Sequence, residues 1–143
     1  ILFNKNLKIT PLASKRYFVH DIRELISGKD KNQLMLRCYV KEGKRVLSSN
    51  NYFFSRPKEL KLPNPNFRVE QKNLGDLISL KISAKTFLYK VCLTSKNQKG
   101  QFSDNYFDMV KGEVKNISFY IEDFDNDKKE FNFSLRTMCD LTK

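Results

Sequence analysis

Sixteen carboxylates, one histidine and three cysteines are the groups with which this 143-residue chain could run chemistry. Glycosidase-type acid/base work needs two carboxyl groups facing each other across a bond held in a pocket. Here the Asp and Glu residues fall mostly in turns or at solvent-facing positions of alternating segments, and nothing in their spacing makes them converge. His20 follows Phe18-Val19 and precedes Asp21, with no Ser or Cys beside it to activate as a nucleophile. It reads as a packing or surface histidine. Cys38, Cys92 and Cys139 are widely spaced, odd in number and form no Cys-x-x-Cys pair, so free thiols are expected. The expectation is a chain without catalytic residues, metal or cofactor.

Two stretches carry denser polar chemistry. Ser103-Asp104-Asn105 and Asp108 stand among Phe102, Tyr106 and Phe107. Asp and Asn side chains bond readily to nearby backbone, which predicts a structured loop. The same residues (Ser103, Asp104, Asn105, Tyr106 and Asp108) could instead face a ligand or an interface. In Glu122-Asp-Phe-Asp-Asn-Asp127 the oxygens of Asp123, Asp125 and Asp127 alternate as in a calcium loop. However, Lys128 stands where that motif needs its turn glycine and Ser134 where it needs a bidentate glutamate, so a solvated hairpin turn is expected. Asn116-Ile-Ser118 and Asn132-Phe-Ser134 match the glycosylation sequon, a short pattern that also arises by chance.

Charge is uneven along the chain. Net charge is +11, with 14 Lys/Arg against 5 Asp/Glu in residues 1–66 and 13 against 11 in residues 67–143. A basic excess first suggests nucleic acid or an anionic surface. Yet Lys5, Lys8, Lys15, Arg16, Arg23, Lys41, Lys44, Arg45, Lys58 and Lys61 are scattered over strand-alternate and turn positions. No recognition helix, zinc finger or RNP pattern accompanies them. A solvated or inter-domain face is the expectation, with no nucleic-acid partner. No apolar run approaches the ~20 residues of a membrane span, and no signal-peptide core opens the sequence. Hydrophobic residues at 40% and charged residues at 30% argue against a disordered chain.

The elements that must position these groups follow period two. In Leu34–Val40 the even positions Leu34, Leu36, Cys38 and Val40 are apolar, which predicts a strand with one buried face. Glu42-Gly43 then turns the chain into Val46-Leu47 and Tyr52-Phe53-Phe54, giving a hairpin. Phe3–Thr10 and Tyr17–Val19 read as two earlier strands, and Asp21–Ile26, stopped by Gly28, as one short helical turn.

Three of the four prolines lie in Arg56-Pro-Lys-Glu-Leu-Lys-Leu-Pro-Asn-Pro65, which reads as a stiff extended linker ending near Asn66. Alternation then restarts at Phe67/Val69, Ile78/Leu80/Ile82, Tyr89/Val91/Leu93, Ile117/Phe119/Ile121 and Phe131/Phe133/Leu135. Short strands at this spacing, without amphipathic helices between them, predict an antiparallel β-sandwich. Its inward set is Ile78, Leu80, Ile82, Val91, Leu93, Ile117, Phe119, Phe133 and Leu135. Lys81, Lys90, Ser118, Asn132 and Arg136 should point outward. The organisation expected is residues 1–56, a linker at 57–66, and a sandwich at 67–143.

Two motifs carry a family resemblance. Asn51-Tyr-Phe-Phe-Ser-Arg-Pro-Lys-Glu-Leu-Lys-Leu-Pro63 resembles the segment joining the last two immunoglobulin-like domains of β-mannosidases, in glycoside hydrolase family two. Phe102-Ser-Asp-Asn-Tyr-Phe-Asp-Met-Val-Lys-Gly-Glu113 is similar to the phenylalanine-rich Ser-Asp-Asn stretch of their last domain, which ends in Pro-Gly-Glu. Lys111 replaces that proline, a departure that touches turn stiffness rather than chemistry. The resemblance implies an immunoglobulin-like β-sandwich preceded by the C-terminal part of another such domain.

It also implies that the two catalytic glutamates of the parent lie upstream of this chain, so no catalytic residue is carried over. The implied function is a non-catalytic C-terminal accessory domain of a β-mannosidase-type hydrolase, with the upstream catalytic domain as its partner. An extracytoplasmic setting (periplasmic, secreted or lysosomal) follows from the parent class. Two further readings stand beside it. One is a carbohydrate-binding module in which Tyr106, Phe107 and Tyr120 stack on sugar rings, giving weak glycan binding. The other is an extracellular interaction domain on the same sandwich. Residues 1–66 offer only about four strand candidates, where such a sandwich has about seven. The N-terminal half is therefore expected to complete itself by association, as a homodimer through unpaired strand edges.

Overall fold

The computed structural model describes residues 3–122 and 130–141. The chain divides into two compact units, Ile1–Ser55 and Arg56–Lys143. The acidic stretch around Asp123, Asp125 and Asp127, read above as a hairpin turn, lies outside the described residues. No helix is long and apolar enough to cross a membrane among the described residues.

In the first unit Asp21 caps the short helix α1 (Ile22–Ile26), its carboxylate accepting the Arg23 N–H at 2.8 Å. Gly28, at φ 67°, follows the helix end. A 3₁₀ turn at Lys31–Gln33 leads into the hairpin of β1 (Met35–Glu42) and β2 (Arg45–Phe53). Gly43 at φ 56° leads the two-residue turn between Glu42 and Arg45, and the register shifts between Val40 and Lys41. Ser55 donates to the Asn32 side chain at 2.6 Å, tying the hairpin's end to the 3₁₀ turn.

The expected strands at Phe3–Thr10 and Tyr17–Val19 do not form; both segments are irregular. Alternation describes a face that needs a partner, and apart from half-buried Tyr17 all their described side chains are exposed. The expected buried face of β1 is also corrected. Burial fades along the strand, with Leu36 half-buried but Cys38 and Val40 exposed. Beyond Leu36 the described residues give the hairpin no second layer to lie on.

The second unit holds the core. Residues 57–66, with a 3₁₀ turn at Pro57–Glu59, are anchored rather than free: Leu60 is buried, and Thr86 Oγ accepts from Asn66 N at 2.9 Å and donates to Asn64 O at 3.1 Å. Seven strands follow: β3 (Phe67–Leu74), β4 (Leu77–Ala84), β5 (Leu88–Ser95), β6 (Gly100–Phe102), β7 (Phe107–Met109), β8 (Val114–Ile121) and β9 (Phe133–Arg136). They form sheets of order β3-β4-β8-β6 and β7-β5-β9, antiparallel throughout. After the β3–β4 hairpin each successive strand changes sheet. Four strands facing three is the division of an immunoglobulin-like sandwich.

Ile78, Leu80, Ile82, Val91, Leu93, Ile117 and Phe119 are buried as the alternation predicts, while Phe133 and Leu135 are half-buried. Lys81, Lys90, Asn132 and Arg136 point to solvent, and Ser118 is half-buried. Phe119 sits at the centre, its ring 4.7 Å from those of Phe102 and Phe131. Gly100 lies so close to this ring that a Cβ there would meet Phe119 at 2.8 Å and run into the Tyr120 carbonyl.

Candidate functional site

The segment Ser103–Asp108 connects β6 to β7 and so passes from one sheet to the other. Ser103 prolongs the β6–β8 pairing, its N–H donating to Ser118 O at 2.7 Å while its Oγ accepts from Ser118 N at 3.0 Å. Asp104 pairs with Lys115 at 2.7 Å and accepts the Asn105 N–H at 2.8 Å. The same Lys115 ammonium lies 4.3 Å from the Phe107 ring centroid.

Asn105 turns inward. Its amide oxygen accepts from Leu93 N at 2.8 Å and its amide nitrogen donates to Leu93 O at 2.9 Å. A side chain thereby imitates a strand partner for β5 at a position that β7 does not reach. Asp108 does related work two residues past Tyr106. Its carboxylate accepts the N–H of Lys90 at 2.9 Å, where β5 bulges and Lys90 adopts φ 53°. Between them Tyr106 takes φ 58°, with its N–H bonded to the Asn105 oxygen at 3.0 Å.

The five residues singled out from the sequence are thus brought together in one loop. Ser103 and Asp104 are exposed and Asn105 and Asp108 half-buried, all four holding bonds within the domain, while Tyr106 turns outward at 66% exposure. Its phenol is pushed above its ordinary pKa first by a hydrogen bond with Cys92, then by the charge of that thiol, then by desolvation. Of the aromatics expected to stack on sugars, Phe107 is buried, whereas Tyr120 is 56% exposed on the outer face of the four-stranded sheet. The register sets Leu74, Leu77 and Gln101 in the same row as Tyr120.

His20 stands 3.5 Å from Glu24 and stacks on Phe18, with ring centroids 5.9 Å apart. None of the three cysteines is in a disulfide, and the buried Cys139 thiol donates to Phe87 O at 3.6 Å. No cluster of three or more His, Cys, Asp or Glu is placed to hold a metal among the described residues. The arrangement offers bonding that closes a loop, not groups poised for proton transfer.

A concave surface that the sequence reading did not single out lies in the first unit. Residues of segment 16–25 face Leu36, Tyr52 and Phe54 across an open groove of about 390 Å³. The signal was present as apolar residues in a half with too few strands to cover them.

Two family models match the chain. That of the mannosidase Ig-fold domain covers residues 62–141, more than half of the sequence, and that of the mannosidase Ig/CBM-like domain covers residues 3–59. No curated protein matches it at a significant level. With a four-on-three antiparallel sandwich at the first match, the chain belongs to the Ig-fold domain family of the mannosidases.

Proposed function

We propose that the chain is a non-catalytic accessory region of a β-mannosidase-type glycoside hydrolase, supporting a catalytic domain that removes terminal β-mannosides. The observation that carries this reading is the succession of two mannosidase Ig-type matches, over 3–59 and then 62–141. The internally bonded Ser103–Asp108 loop agrees with a structural role. A retaining glycosidase needs two carboxyl groups about 5–5.5 Å apart across the scissile bond. Here Asp104 is taken up by Lys115 and Asp108 by the β5 bulge.

The purified chain should leave aryl β-mannosides intact, and the reading frame that encodes it should continue upstream into a barrel with paired glutamates. Hydrolysis that persists through stringent purification, or an upstream frame without such a barrel, would overturn the reading. A sugar-binding role for the second unit is favoured by one observation, the exposure of Tyr106 and Tyr120. Mannan oligosaccharide binding that disappears in Tyr120→Ala would support it, and a silent glycan array would end it.

A further inference from the structure

The groove of the first unit is apolar, open and set in a positive field. Phe18, Val19 and Ile22 are 39%, 72% and 46% exposed on one side, and Tyr52 is 51% exposed on the other. Contiguous exposed side chains of this size mark an interaction surface. Residues 3–55 carry eleven Lys/Arg against four Asp/Glu. Three of those four carboxylates are already held locally. Asp21 pairs with Arg23 at 2.7 Å, Glu24 lies 3.5 Å from His20, and Asp30 caps the 3₁₀ turn. Arg16 lines the groove itself.

We propose that this groove docks an acidic polypeptide segment offering aromatic or aliphatic side chains between carboxylates. The apolar lining selects a partner with apolar side chains, and the uncompensated cations select one with negative charge. A second copy of the same unit would bring the same positive excess to the contact, and repulsion acts over ~8 Å at physiological salt. The inference stands apart from the proposed function and holds whatever enzyme the chain serves.

The probe is a random glutamate–tyrosine copolymer, compared with polyglutamate of equal length by fluorescence polarisation on the intact chain. The copolymer should bind more tightly than polyglutamate. Val19→Asp and Arg16→Glu should each weaken binding about tenfold, as loss of an anchor at an interface does. Lys44→Glu makes the same charge change at the β1–β2 turn and should leave binding within about twofold. Val19 is exposed enough that its substitution spares folding, which far-ultraviolet circular dichroism checks. Equal binding of the two polymers, an equal loss in Lys44→Glu, or no binding at all would overturn the proposal. So would a sedimenting dimer abolished by Val19→Asp, because the occupant would then be a second copy.

Discussion

Asn105 shows how a residue can look like site chemistry and act as a structural bond. A buried backbone N–H and C=O left without partners cost about 1–3 kcal/mol, and on β5 those of Leu93 are satisfied by one side-chain amide. The Ser-Asp-Asn run was legible as a bonded loop, since these residue types compete for backbone groups. Its direction was not legible, because the amide reaches across to Leu93, and that pairing depends on strand register rather than on neighbours in sequence. The Tyr106–Cys92 contact is hidden for the same reason. It yields a prediction with a sign. Tyr106 should form phenolate above the ordinary value of 10.0, read from ultraviolet phenolate absorbance, and Cys92→Ala should return it toward that value. A folded-state value raised above the unfolded one adds stability that is complete below pH 10.0 and is lost as pH climbs through the folded value. A Tyr106 titration unmoved by Cys92→Ala would refute the contact.

At the scale of elements, period two located most strands of the second unit and failed where the backbone breaks period. Alternation puts Tyr89, Val91 and Leu93 on one face, yet Leu88 and Tyr89 are both buried, because the register shifts between Leu88 and Val91. That bulge rests on Lys90 at φ 53° and its bond to Asp108, a backbone event that apolar patterning does not encode. Strands β6 and β7 are three residues each, so the alternation they carry is too brief to mark a strand from sequence. The turn after β7 was legible in composition, and its geometry now assigns a role to each position. Glu113 N donates to Val110 O at 3.0 Å and Gly112 adopts φ 84°, which makes Lys111 the second residue of a type II turn. Proline is favoured there because its fixed φ suits the turn and limits the unfolded chain. Lys111→Pro should therefore stabilise the second unit by about 0.4–1 kcal/mol, seen as a raised thermal midpoint. A lowered midpoint would mean that the Lys111 N–H or a different φ is needed.

Across the whole molecule, burial is distributed as unevenly as charge. Every buried hydrophobic side chain among the described residues belongs to the second unit, while the first unit's hairpin is only two-stranded. Composition could suggest two halves, but not that one holds the core, because Leu36 and Val40 read from sequence much as Leu80 and Ile82 do. What separates them is a facing sheet, present in one unit and absent among the described residues of the other. A two-stranded ribbon is marginal alone in water, whereas two packed sheets unfold cooperatively. Phe119 tests this division. It is fully buried between Phe102 and Phe131, so Phe119→Ala should cost the second unit about 3–5 kcal/mol through lost burial and the cavity left behind. Hydrogen exchange should then accelerate in the β4 and β8 amides that pair across Ile78 and Phe119. Exchange in β1 and β2 should already be fast and should not change. Strong protection of β1 and β2 that falls together with that of β4 and β8 would show that the two units unfold as one, and would overturn this assignment of the stability to the second unit alone.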